Sequence, residues 1–132
     1  MKKLLFICLV ASMMTSCHES LEERAEREAR EFTEKNCPTP LRDNTILDSM
    51  VFDKSTHTLT HYYTLVGVAD NENKVREKEE SVHQALLKDV QNNTSFRAYK
   101  DAGYSFAFIY CSLKNKGTVL YKDIIREKDY QQ

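Results

Sequence analysis

The sequence predicts an α+β fold in the order α-β-β-α-β-β-β, with one antiparallel sheet of about five strands and two helices packed on one face. Three observations predict it. Two stretches, one after Ser20 and one after Asn71, carry apolar residues at helical spacing among dense charge. Other segments are rich in Thr, Tyr, Phe and Ile and alternate in polarity, as half-buried strands do. The turn signals between strands are short, which makes sequential hairpins neighbours in one sheet.

The first residues read as an address. Met1-Lys2-Lys3 is a short basic start, and residues 4–11 are an apolar run too short to span a bilayer as a helix. Small and polar residues follow, in the order of a secretory signal. Met14-Thr15-Ser16-Cys17 resembles a lipobox, where bacterial lipoprotein precursors are cleaved and acylated on cysteine; Met14 stands where that motif usually has Leu. The resemblance implies a signal over residues 1–16, a lipid on Cys17 and a tether over residues 17–19. Several acyl chains on Cys17 hold a protein on a membrane more firmly than one does. Glu19, Glu22 and Glu23 behind it resemble the surface-export signals of some Gram-negative lipoproteins, and read equally well as an acidic first helical turn. The expected location is the outer membrane, facing the periplasm or the cell surface.

Residues 20–125 read as a single domain and residues 126–132 as a polar tail. Ser20 with Glu23 three residues on is a capping box that starts the first helix. Leu21, Ala25, Ala29 and Phe32 form its apolar stripe, with Glu23–Arg27 and Glu26–Arg30 expected as ion pairs one turn apart. That stripe is narrow and alanine-rich, so the helix packs closely while burying little. Asn36 and Pro38 end it. Strands are expected over residues 45–52 and 58–68, around a turn at 53–56. In the second of these Leu59, His61, Tyr63 and Leu65 share the face that looks like core. The second helix spans residues 70–93, with Val75, Val82, Leu86 and Val90 as its stripe and Asp70 or Asn71 as its cap. Strands then follow over 96–99, 104–113 and 118–125, with Gly103 and Asn115-Lys116-Gly117 in the turns.

Composition narrows function by exclusion. Lys plus Arg is 19 against 20 for Asp plus Glu, a net charge of −1. Cleavage after residue 16 removes only Lys2 and Lys3, so the exported chain is more acidic still. Nothing in this balance suits a nucleic-acid partner. Three glycines and no G-x-x-x-x-G-K-[ST], G-x-G-x-x-G, G-x-S-x-G or H-E-x-x-H leave no phosphate loop, hydrolase elbow or zinc-protease motif. No cofactor is expected. No metal is expected either, because His57 and His61 lie about 13 Å apart along a strand. Glu80 and His83 share a helix face but are one pair where a di-metal site needs two.

Cys8 leaves with the signal and Cys17 carries lipid, so Cys37 and Cys111 remain. In an oxidising compartment a Cys37–Cys111 disulfide is the economical reading, with two separate thiols as the alternative. A bridge closing so long a loop contributes roughly 4 kcal/mol in the loop-entropy account.

A further resemblance lies in the middle of the chain. Cys37-Pro38-Thr39-Pro40 precedes Asp43-Asn44-Thr45-Ile46-Leu47-Asp48, then His61-Tyr62-Tyr63-Thr64-Leu65, then the alternating aromatics Phe106, Phe108 and Tyr110. This pattern is similar to a group of small, uncharacterised exported bacterial proteins, over residues 20–125. His61 stands where that group usually has an aromatic residue. The resemblance implies an architecture and a compartment, and no activity.

One feature is left over. The two longest strands are apolar on both faces, whereas an antiparallel sheet normally shows water a polar second face. Tyr62, Val66, Phe106, Phe108 and Tyr110 are the candidate binding face, because exposed aromatic patches mark interaction sites. Loops or the residues after 125 covering that face are the plainer account. The expected function is a non-enzymatic binding or accessory module, tethered through lipid on Cys17, with an envelope protein as partner; the oligomeric state is left open. The alternatives are a small envelope hydrolase with His61 in a cleft, and a purely structural lipoprotein.

Overall fold

The computed structural model describes residues 18–132; the signal segment and Cys17 lie outside the described residues. The first helix, α1, is Leu21–Asn36. Its capping box forms as the sequence predicts: the Ser20 hydroxyl accepts from the Glu23 N–H at 3.1 Å, and the Glu23 carboxylate accepts from the Ser20 N–H at 3.3 Å. The expected ion pairs are replaced by others. Glu23 is spent on the cap, and Glu26 is drawn to Lys54 in the neighbouring turn at 2.6 Å. Arg24 therefore takes Glu28 at 2.7 Å, and Arg27 takes Glu19 at 2.7 Å and Glu31 at 3.3 Å.

Strands β1 (Thr45–Asp53) and β2 (Thr58–Leu65) form the first hairpin. A single 3-10 turn leads into α2, Glu72–Asn92, whose cap is Asn71, accepting from the Lys74 N–H at 3.1 Å. Asp70 does other work. Its buried carboxylate accepts from the Ser112 hydroxyl at 2.5 Å and the Lys114 N–H at 2.8 Å, which pins the start of α2 to the end of the third strand. These two donors, the serine first, hold the carboxyl below its usual range.

Residues 96–99 are helical rather than a strand: a 3-10 turn at Thr94–Phe96 runs into α3, Arg97–Asp101. The physical reason is the spacing of Phe96 and Tyr99. Three residues apart on a helical turn they point the same way, so Phe96 stacks on Phe106 at 4.8 Å while Tyr99 is buried. Strands β3 (Ser105–Ser112) and β4 (Val119–Ile125) complete a sheet of four strands in the order β1-β2-β3-β4.

The α+β class and the single sheet stand as predicted, and the sheet is mixed. The outer pairs are antiparallel, but β2 and β3 run parallel, Leu59 opposite Phe106 and His61 opposite Phe108. A parallel pair needs a long crossover, and α2 supplies it. It carries the chain back along the sheet, so β3 enters at the end where β2 began. Gly103, at a φ of 77°, makes that re-entry tight. A Cβ there would lie 2.6 Å from the Glu127 carboxylate.

Both helices lie on one face, α1 over β1 and α2 over β4. The core between them and the sheet holds Ala25, Ala29, Phe52, Leu59, Leu86, Val90, Phe106, Phe108 and Ile125. Thr33 ties α1 to the edge strand, accepting from the Met50 N–H at 2.9 Å. The residues read as a polar tail fold back as α4, Glu127–Tyr130. Buried Tyr130 donates to the Tyr104 carbonyl at 2.9 Å. Among the described residues no helix is long and apolar enough to cross a membrane.

Candidate functional site

The five residues expected to make one binding face do not share a face: four are divided between the two faces of the sheet and Val66 lies outside it. Side chains alternate along a strand, and Phe106, Phe108 and Tyr110 fall on the helix side. Phe106 is 0% exposed and Phe108 nearly so. Tyr110 is half-buried and stacks on Tyr63 at 4.6 Å. Tyr62 stands on the opposite, open face and is 37% exposed. Val66 is on neither: it follows β2, where its N–H is held by the Asn44 carbonyl at 2.9 Å. The open face around Tyr62 carries Thr, Ser and Ala with Ile109 and Ile124, and the charged Asp53, Lys122 and Arg126. The aromatic surplus on the two long strands is thus mostly core, and the correction follows from the helices covering one face only.

Because α1 covers β1 and α2 covers β4, the middle of the sheet is left between them. A cleft of about 350 Å³ opens there. One wall is α1, with Ala25, Ala29 and Phe32; the other is Phe96 and Tyr99; Met50, Leu59 and His61 form the floor. The alanines that make α1 a thin helix also keep this space open. Phe96 and Tyr99 belong to the segment read as a strand, which is why sequence reasoning missed the far wall; their three-residue spacing was the available signal.

Polar groups sit at the edge of the cleft and are mutually satisfied. Tyr99 donates to Glu28, which also accepts from Arg24 at 2.7 Å. Burial pushes the Glu28 carboxyl up, but Arg24 and Tyr99 together outweigh it and hold it low. Burial first, and then Glu28, push the Tyr99 phenol well above its usual value. At neutral pH Arg24 and Glu28 therefore balance each other as an ion pair, and Tyr99 keeps its proton.

His61 is the floor's one titratable group, and it is 6% exposed. Its ring stacks on Phe108 at 4.8 Å, and Phe96 meets it edge-on at 5.9 Å. Nδ1 lies 3.4 Å from the Ala107 carbonyl. Burial pushes its pKa down to about 4, so the imidazole is neutral at pH 7. No hydroxyl, thiol or carboxylate among the described residues bonds to it, so it lacks both the nucleophile and the orienting acid that base catalysis uses. His61 occupies an aromatic position of the core as an aromatic ring.

Cys37 and Cys111 are separate free thiols. The sheet itself is the reason. Cys37 caps α1 on the helix side, where burial and the Asp48 carboxylate push its thiol up. Cys111 alternates with Tyr110 and Ser112 on β3 and so points to the open face. Among the described residues no group of three or more His, Cys, Asp or Glu side chains is placed to hold a metal ion.

Residues 20–121, most of the chain and all of its sheet but the end of β4, match a domain of unknown function, DUF8479. The chain belongs to the DUF8479 family. No curated protein matches its sequence. Solved structures do share the fold of this DUF8479 domain. A protein of Pseudomonas aeruginosa described as secreted is 14% identical with a TM-score of 0.70, over 83% of this chain and 91% of that one. The pilotin EpsS of the Vibrio vulnificus type 2 secretion system is 12% identical with a TM-score of 0.60, over 84% and 92%. The type 2 secretion pilotin AspS of Vibrio cholerae is 16% identical with a TM-score of 0.59, over 82% and 90%. At such identities the likeness is one of fold, and it extends over nearly the whole of each partner.

Proposed function

We propose that this chain is an exported lipoprotein, anchored through Cys17 in the outer membrane, that works as a non-enzymatic accessory module by gripping an apolar segment of an envelope protein. The cleft between α1 and α3 carries the reading. It is largely apolar, and Phe32 stands exposed on its rim. The titratable residue on its floor, His61, is a buried neutral ring with no catalytic partner, and Glu28 and Tyr99 at its edge are bonded to each other. Such a surface binds and does not react. The shared fold of two secretion-system pilotins supports an accessory role at the envelope, and the lipobox-like Met14–Cys17 supports the anchor.

A site-specific photocrosslinker tests it. Placed at Phe32 on the cleft rim of the full chain in native envelopes, it is expected to trap one protein; placed at Tyr62 on the open face, it is expected to trap none. A specific adduct from position 62 alone would move the site to the open face. No adduct from either would end the binding reading. Cys17→Ser is expected to shift the chain from the membrane to the soluble fraction of the envelope; unchanged sedimentation with membranes would remove the anchor.

A further inference from the structure

A second cavity, of about 390 Å³, opens at the other end of the sheet, where β2 ends and α2 begins. Its volume is that of a small-ligand pocket. Leu65, Tyr110 and Tyr121 form the floor, and one face of α2 forms the outer wall. That face carries Lys74, Val75, Lys78 and Val82, whose spacing places them together. Eight residues of β2, roughly 26 Å of strand, separate this cavity from the turn that α1 starts against.

Two features give the cavity a chemistry. Lys74 and Lys78 make no ion pair among the described residues, although α2 is crowded with acids. Of the nearby carboxylates, Glu72 holds Arg76 at 2.9 Å, Asp70 holds Ser112 and Lys114, and Asp123 holds Tyr121 and His83, while Asp43 stands exposed on the rim, 4.0 Å from Arg42. The Tyr110 hydroxyl is the second feature. It bonds to no described residue, and no fully buried side-chain oxygen among them lacks a partner, so this donor is uncommitted and not fully buried. Its neighbour differs, for the Tyr121 hydroxyl is spent on Asp123 at 2.9 Å. An apolar space with three uncommitted donors around it, two of them cationic, is complementary to an amphiphilic anion.

We propose that this cavity binds a free single-chain carboxylate of the fatty-acid type. The chain lies against Leu65, Val75, Val82 and the tyrosine rings, and the carboxylate takes Lys74 and Lys78. The acyl groups expected on Cys17 are ester- or amide-linked and offer no carboxylate to the lysines. A diacyl phospholipid brings a second chain that has no place in a cavity of this size. This site stands independently of any protein held between α1 and α3.

The experiment is photoaffinity labelling of the full chain in envelopes with a diazirine-bearing dodecanoate. Label is expected to map to residues 65–82, to be displaced by dodecanoate, and to resist dodecyltrimethylammonium. Lys74→Glu with Lys78→Glu is expected to cut labelling by about tenfold or more, a modest cost for reversing two partners of one anion. Val75→Trp, which fills the cavity without changing charge, is expected to cut it as far. Thermal melts of both variants show that the fold is kept. Labelling unchanged in both variants overturns the proposal. So does equal labelling of the same residues by a cationic probe, and so does a phosphatidylglycerol probe that labels them as strongly, since that outcome describes contact with a membrane surface.

Discussion

His61 and His83 show how placement decides what a residue type does. Burial pushes His61 down to about 4, against an ordinary value of 6.5. The unfolded chain then takes up a proton that the folded chain refuses, so stability is full above about pH 6.5 and falls as pH drops from there towards 4. The full effect is about 3 kcal/mol. His61→Phe, which keeps a ring between Phe108 and Phe96, is expected to flatten the urea midpoint between pH 6.5 and 4, and an unchanged slope would place His61 in solvent. His83 runs the other way. Its Nδ1 is 2.7 Å from Asp123, and that bond raises its pKa despite some burial. Its contribution is fully present below its unfolded pKa and is lost as pH rises through the higher folded one. His83→Gln is expected to lower the midpoint at pH 5.5 more than at pH 9, read by the same titration.

The elements differ in how far each depends on its neighbours. The start of α1 is written locally, in a cap and a reciprocal carboxylate three residues on. Ser20→Ala is expected to cost about 1 kcal/mol in a urea titration, because the orphan N–H groups of the first turn lose their acceptor; no change would make the cap ornamental. The end of α2 at Asn92 and the turn at Gly117 are equally local. The segment 94–101 is not. Its aromatic residues suit a strand as well as a helix, and what chooses is that one helical turn lets Phe96 stack on Phe106 and Tyr99 on Tyr104 together. Phe106 is the pivot of that packing, and Phe106→Ala is expected to cost about 3–5 kcal/mol. Thermal unfolding reads that loss, and a cost near zero would mean that the rings collapse into the gap.

At the scale of the whole molecule the sheet is a partition. Helices and core lie on one side of it, and Tyr62, Ile109 and Cys111 lie on the other. Alkylation of the folded chain without reductant is expected to modify both Cys37 and Cys111. Cys111→Ser is expected to leave the melting temperature within a degree or two, whereas loss of a disulfide costs about 2–5 kcal/mol and would lower it by far more. The two cavities also sit at different ends of the helix side. The first is flanked by the short α3 next to Tyr104, and the second lies under the start of α2. Partner binding and ligand binding can therefore be perturbed separately, by Phe32 substitutions in one and Lys74 or Lys78 substitutions in the other.

The sequence by itself determined the α+β class, the capped first helix, both hairpins and the long second helix, because each rests on periodicities and turn residues within a few positions of one another. It also marked His61 and the alternating aromatics as unusual. Tertiary structure alone decided that β2 and β3 run parallel, since strand direction depends on where α2 delivers the chain. It alone decided which aromatics are core and which are exposed, since alternation defines two faces but not which one the helices cover. The cleft between α1 and α3 and the cavity under Lys74 and Lys78 are likewise spaces between elements distant in sequence, and a space has no residue of its own for a sequence to record.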